Sequence, residues 1–491
     1  MKSFSVLQLF TTLFVSLNLG ISVLANSFSY TDRAQLDQVN NLPGLQYEIN
    51  FNQFSGYLDL PNSTKHLHYW YVESEINPET TPIVFWTNGG PGCSGLIGFM
   101  TEQGPWRPDS NGNLKPNTWA WNRIANMVFL EQPTGVGFSY SDNSTEYRIG
   151  DEQSAKDNLQ IILQFLSRFP HLKSNPLYIT SESYGGHYMP ELALEIIEYN
   201  KKVSQNDKIN FTGMAVGNPY VDYYSGSGAQ METYNNFNLL PKPLWDKYVS
   251  EGCTEPLTML NNSLCSTYFI RFSQLIGNLN PYALEFPVCV EAQQAQFSDY
   301  LYDRNVNQYD KGHKQIFSPI SYLHSSIPLA ENYEPCTDNY AAQYLNKPDV
   351  KFALHVKSDI EWEECSRTTK YELMDKMKST IRYYRQILDD KTVPDLKMMV
   401  YSGDVDGVCG TVYTQNWIFD LGFNYEPKYF WKDWVVDGQT SGYITKFSTP
   451  YSDKSRLTFA TVHDAGHEVP TYKPKEAFLL FEAFLNDEWN F

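Results

Sequence analysis

The chain is punctuated by apolar runs that each stop at a turn of glycine or small polar residues, with helical patterns between them. PIVFWTNGG (82–90), NMVFLEQPTGVG (126–137), PLYIT (176–180) and INFTGMAVGN (209–218) form the first series. Near-continuous apolar runs of this kind are strands buried on both faces, as in a parallel sheet covered by helices on both sides. DEQSAKDNLQIILQFLSRF (151–169) reads as one covering helix, apolar at Leu159, Ile162, Leu163 and Leu166. Before the series, FSGYLDL (54–60) and HLHYWYVES (66–74) read as two strands joined by a polar turn at Pro61-Asn62-Ser63. The rhythm breaks after Asn218. Residues 219–344 read as irregular and aromatic, and they hold four of the seven cysteines. The alternation is expected to resume with KPDVKFALHV (347–356), DLKMMVYSGD (395–404) and SRLTFATVHDAGH (455–467), and the helix KPKEAFLLFEAFLND (473–487) closes the chain. The predicted architecture is one α/β domain, residues 26–218 and 345–491, interrupted by a disulfide-bearing cap insertion at 219–344. Such an insertion would sit over the strand ends, where open parallel sheets bind ligands.

The ends and the charge narrow the setting. Met1-Lys2 leads an apolar stretch through Leu24, and Val23-Leu24-Ala25 supplies small residues, so 1–25 reads as a signal peptide cut after Ala25. No other run is long and apolar enough to span a membrane, so no membrane anchor is expected in the mature chain. Four sequons, at Asn62, Asn143, Asn210 and Asn261, fit passage through the secretory pathway. The net charge of −19 argues against nucleic acid or an anionic membrane as partner, since both demand basic patches. Cysteines at 93, 253, 265, 289, 336, 365 and 409 suit an oxidising compartment, with six paired and one left over. None has metal-ligand spacing with another cysteine or histidine, so no metal or other cofactor is expected.

One stretch carries chemistry. In PLYITSESYGGHYMPELALEI (176–196) a strand ends in Ser181-Glu182-Ser183-Tyr184-Gly185-Gly186 and a helix follows at once. A serine hydroxyl is a poor nucleophile until a base takes its proton. A sharp strand-to-helix elbow lifts such a serine clear of a sheet and offers helix N–H groups to a developing oxyanion, usually as G-x-S-x-G. Here the second glycine is present and the first is serine. HDAGHEVP (463–470) offers the base; Gly466 and Pro470 make it a loop, which disfavours metal binding by His463 and His467. The glycine before His467 favours that imidazole, leaving His463 a structural role. YSGDVDGVCG (401–410) ends a strand and offers Asp404 and Asp406 as the orienting acid. The order serine, aspartate, histidine is that of the α/β-hydrolase fold.

Together NGGPGCSG (88–95), SESYGGHY (181–188), YSGDVD (401–406) and GHEVP (466–470) resemble the serine carboxypeptidases, the cathepsin A group included. The resemblance runs from about residue 35 to the C-terminus. It implies Ser183 as nucleophile, His467 as base, and Asp406, the second aspartate of G-D-x-D, as orienting acid. It implies an oxyanion hole from the N–H groups of Gly90 and Tyr184. It also implies a clamp for the substrate's C-terminal carboxylate, made by Asn88, Gly89, Glu102 (in TEQGPW) and Glu182. Two carboxyls forced together retain a proton, and a protonated one can donate to an incoming carboxylate. Peptide hydrolysis is therefore expected to be best at acidic pH, on the C-termini of peptides or proteins. The implied disulfides are Cys93–Cys365, Cys253–Cys265 and Cys289–Cys336. Cys409 would lie near the site, as a mercurial-sensitive thiol or an inert buried one.

Rival readings share the scaffold. Acyltransferases of similar sequence commonly carry aspartate before the serine, where this chain has Glu182, and a general esterase or lipase has no need of the clamp. A protective or binding role toward other lysosomal enzymes, as in proteins similar to cathepsin A, is a reading of another class. The sequence leaves open lysosome, vacuole or secretion, monomer or homodimer, and the side chain preferred at the cleaved end.

Overall fold

A computed structural model describes residues 29–255, 262–289, 333–452 and 454–489. The expected signal peptide, Asn261 and much of the cap insertion lie outside the described residues. A 12-stranded sheet runs through the molecule. Its centre is a parallel row in the spatial order Asn126–Leu130, Ile83–Thr87, Leu177–Glu182, Phe211–Gly217, Lys397–Gly403, Leu457–Val462. The antiparallel pair Gln53–Asp59 and Lys65–Val72 flanks the row on one side, and antiparallel Gln439–Ser448 flanks it on the other. The strands from Leu177, Lys397 and Leu457 are called below the serine, aspartate and histidine strands.

Side chains alternate across this sheet into two cores, as period-two backbone geometry requires. In the aspartate strand Met398 and Val400 face one core while Met399 and Tyr401 face the other. The first core is roofed by the helices Asp151–Arg168, Gly185–Lys202, Ile381–Leu388 and Thr411–Phe419, which contribute Ile162, Ile196, Ile387 and Trp417. The second is roofed by Pro474–Asn486, whose Phe478, Phe481 and Phe484 pack beside Trp86 and Trp121. With helices on both faces, even the central strands have no wet side, which explains the continuous apolar runs.

Two regions depart from expectation. Residues 347–356 form no strand: Pro348–Ala353 is a short helix. Pro348 occupies its first turn with Asp349 beside it, the chemistry that starts a helix, and Val350 and Leu354 drop one turn apart into the second core. The 219–344 region is largely helical where described, with helices Tyr223–Asn236, Lys242–Ser250, Ser263–Ile276 and Thr337–Leu345. Tyr248, Phe272, Cys253 and Cys265 form a separate small core there. Disulfides join Cys253 to Cys265, Cys289 to Cys336 and Cys93 to Cys365. Cys409 is buried outside these bonds. Among the described residues no helix is long and apolar enough to cross a membrane.

Candidate active site

Five polar segments emerge at the carboxyl ends of neighbouring parallel strands: Asn88 after Thr87, Ser183 after Glu182, Asn218 after Gly217, Asp406 beyond Gly403 and His467 beyond Val462. Strand order alone therefore gathers residues hundreds of positions apart.

The serine turn is tight. Ser183 has φ 55°, a left-handed conformation that costs a non-glycine residue energy and persists only where its surroundings hold it. They do: Ser183 N–H donates to Gly217 O at 3.0 Å, and Tyr220 N–H and Gly186 N–H donate to Ser183 O at 2.7 and 2.9 Å. The serine at the first glycine position is accommodated. Ser181 Oγ donates to Thr87 O at 2.6 Å, tying the serine strand to the strand that leads into Asn88. A Cβ on Gly185 would collide with that same hydroxyl, so the second glycine is needed because the first became serine. Gly89 comes equally close: a Cβ there would lie 2.5 Å from Tyr184 N and 2.8 Å from Ser183 Cβ. Gly90 follows with φ 110°, which only glycine adopts at ease.

The two aspartates and two histidines sort into separate pairs. His467 Nδ1 lies 2.7 Å from Asp406 Oδ2, and the two side chains are 2% and 0% exposed. Asp406 Oδ2 also accepts from Asn218 Nδ2 at 2.8 Å and Cys409 N–H at 3.1 Å, while Oδ1 accepts from Val408 N–H at 2.7 Å. His467 Nε2 is buried and has no hydrogen-bond partner among the described residues. Burial would lower the pKa of this imidazole, but the charge and hydrogen bond of Asp406, with Glu468 and Glu102 nearby, hold it above 6.5. His463 instead pairs with Asp404 at 2.7 Å, with its side chain 58% exposed. The cap segment closes over the first pair: His467 N–H donates to Tyr282 O at 2.7 Å, Gly407 N–H donates to Pro281 O at 3.0 Å, and the Tyr282 ring stands edge-on to His467.

Beside the serine turn lies a buried acidic pocket. Asn88 Nδ2 donates to Glu102 Oε1 at 2.9 Å and to Glu182 Oε1 at 2.7 Å. The amide is oriented from behind, since Asn88 Oδ1 accepts from Trp86 Nε1 at 2.8 Å and Gly98 N–H at 3.0 Å. The other oxygens, Glu102 Oε2 and Glu182 Oε2, are buried and receive no donor from the other described residues, while the two carboxyls hydrogen-bond each other. Burial and the nearby carboxyl of Glu468 push Glu102 up to about 8. Burial, then the carboxyls of Glu102 and Glu468, push Glu182 well above 4.5. Glu468 itself is raised to about 7, chiefly by burial. The pocket is thus poised to hold protons at neutral pH and below.

Several of these residues carry no motif. Arg107, which donates to Glu102 O and Pro470 O at 2.9 and 3.2 Å, ties the helical turn Gly98–Glu102 to the segment that follows His467. Asn218 ends a run of strand character at a Gly-Asn step, a signal that could have marked it. Glu468 lies inside GHEVP, but nothing in that motif marked its carboxyl as part of the acidic pocket.

The geometry defines a class: an α/β hydrolase with a serine elbow, an Asp–His pair beyond following strands and a glycine turn packed against the serine. A family model described as serine carboxypeptidase matches residues 43–487. Serine carboxypeptidase-like 25 of Arabidopsis thaliana is 34% identical over 487 residues, covering 98% of this chain and 97% of that one. The lysosomal protective protein of Mus musculus is 32% identical over 466 residues, covering 92% and 94%. The crystal structure of Kex1Δp, a prohormone-processing carboxypeptidase from Saccharomyces cerevisiae, superposes with a TM-score of 0.73 at 20% identity, covering 92% of this chain and 96% of that one. The chain belongs to the serine carboxypeptidase family.

Proposed function

We propose that the chain releases C-terminal amino acids from peptides through an acyl-enzyme on Ser183. Ser183 Oγ attacks the scissile carbonyl and gives its proton to His467 Nε2. Asp406 keeps the imidazole in the tautomer that can accept and stabilises the imidazolium that forms. The N–H groups of Gly90 and Tyr184 receive the oxyanion of the tetrahedral intermediate. His467 passes the proton to the departing amine, and water then hydrolyses the ester with the same base. Asn88, Gly89 and the protonated Glu102–Glu182 pair receive the substrate's free carboxylate and so set the cut one residue from the end. The described part of the cap, which meets the His467 segment through Pro281 and Tyr282, walls the subsites over the strand ends as part of a single domain.

The observation that carries this reading is the bridged glutamate pair. Two carboxyl oxygens, buried beside a nucleophile and given no donor by the other described residues, suit a ligand that can accept the proton the pair retains. A carboxylate terminus accepts it. Burial costs of this size are tolerated at sites that use the group. The pair donates only while protonated, so peptide hydrolysis weakens as pH rises through about 8, the value of Glu102. Rising acidity has its own limit when His467 becomes protonated. The acidic preference expected from sequence is supported on its alkaline side by this proton.

Exposed Asn62, Asn143 and Asn210 suit N-glycosylation in a secretory-pathway, vacuolar or lysosomal enzyme entering through the 1–25 segment. The test of the central assignment is hydrolysis of a blocked dipeptide by wild type and Ser183→Ala. Free C-terminal amino acid from wild type alone is expected. Turnover of an ester with no release from the dipeptide would move the chain to the esterase or acyltransferase reading. A folded protein inert toward every acyl substrate would leave a protective role.

A further inference from the structure

A second buried Asp–His pair lies behind the serine turn, and the mechanism above does not use it. His187 Nδ1 is 2.9 Å from Asp151 Oδ2, with the side chains 0% and 1% exposed. Asp151 also accepts from the Tyr184 hydroxyl, at 3.1 Å to Oδ1 and 3.3 Å to Oδ2, and from the Tyr371 hydroxyl. The Tyr184 ring stacks on the His187 ring at 4.5 Å with 14° between planes, and His187 stacks in turn on Tyr220 at 5.6 Å. Among the described residues His187 Nε2 is buried without a hydrogen-bond partner, so there the ring's polar tie is the one to Asp151. Asp151 is the first residue of its helix, where the positive end of the helix dipole favours a carboxylate.

Tyr184 is the residue whose backbone N–H is offered to the oxyanion. It caps the helix that opens with Gly185 and Gly186. Two glycines bring no side chain to anchor that first turn, so the turn leans on Tyr184 and His187. We propose that Asp151 is a positioning residue for the oxyanion site. By fixing the Tyr184 ring from inside the protein, it aims the Tyr184 N–H at the reacting carbonyl, and His187 and Tyr371 hold Asp151 in place. This inference rests on the oxyanion role assigned to Tyr184 under the proposed function.

The test compares Tyr184→Phe, Asp151→Asn and the double variant, each measured for kcat and KM on a blocked dipeptide and on an ester lacking the terminal carboxylate. A misaimed donor costs roughly 10- to 100-fold in rate. Each single variant is expected to lose about that much in kcat on both substrates, with KM within about twofold. Because both act through one contact, the double variant is expected to lose no more than the worse single one. Losses that multiply, or that fall in KM rather than kcat, would overturn the proposal. Should Asp151→Asn fail to fold, Tyr184→Phe decides, since it keeps the ring stack and removes only the hydroxyl: unchanged kcat overturns the proposal. Full activity in Ser183→Ala would instead overturn the underlying reading.

Discussion

Asn88 does little by itself; its effect comes from being unable to turn. Trp86 and Gly98 hold its oxygen, so both amide protons must face Glu102 and Glu182. Asn88→Ala removes two buried donors and part of the proposed carboxylate site. Losing hydrogen bonds to charged or buried groups costs about 1.5–3 kcal/mol each, so KM for a free-acid peptide is expected to rise at least about tenfold while an amide substrate changes little. Steady-state kinetics on the acid and amide pair checks this; an equal loss on both would remove Asn88 from the clamp. The aspartates give a sharper contrast. Asp406 is fully buried and accepts four hydrogen bonds including that of His467, whereas Asp404 serves the exposed His463. Asp406→Asn is expected to cut kcat by about 10⁴ through the wrong imidazole tautomer, and Asp404→Asn by less than about tenfold. Spacing in the sequence offered both residues equally, because choosing between them requires knowing which loop each one faces.

At the scale of elements, what was legible followed from burial. Strands covered on both faces announce themselves as apolar runs, and the serine turn by its small residues. The 347–356 run misled because five apolar residues in ten suit a strand or a buried helix alike, and Pro348 settles the matter only once the start is known. The antiparallel strands Lys432–Val436 and Gln439–Ser448 were missed because they lie at the sheet margin and carry polar and exposed residues that blur the alternation. Asp151 and Arg107 were illegible for another reason: Asp151 meets Tyr184, His187 and Tyr371, and Arg107 meets Pro470, all on elements distant in sequence. The serine turn itself gives a prediction. Gly185→Ala drives a methyl into Ser181 Oγ, an overpacking worth about 1–3 kcal/mol, visible as a lower melting temperature. Ser181→Gly in the same chain removes the obstacle and is expected to restore part of it. Additive losses would mean the clash is not with Ser181.

For the whole molecule, the acidic pocket links stability to pH. Glu102 has its pKa raised from 4.5 to about 8 by burial first, with Glu468 adding to it, and Glu182 is raised in the same sense. Between those values the folded state binds more protons than the unfolded one, so stability falls as pH rises. The contribution is full below about pH 4.5 and lost by the time pH passes about 8. The urea midpoint is expected to be higher at pH 5 than at pH 9, and the difference to shrink in Glu102→Gln/Glu182→Gln. A midpoint difference untouched by the double variant would place the dependence elsewhere. On the proposed function the same proton joins stability to recognition, since the pocket that strains the fold at high pH is the one proposed to receive the substrate's end at low pH. The most direct measurement of that claim is kcat/KM from pH 5 to pH 9 for one blocked dipeptide as its free acid and as its C-terminal amide. The account predicts a strong preference for the acid below about pH 8 that collapses above it, with the amide showing no matching fall. A preference that persists unchanged to pH 9, or no preference at all, would contradict a protonated glutamate pair as the reader of the chain end.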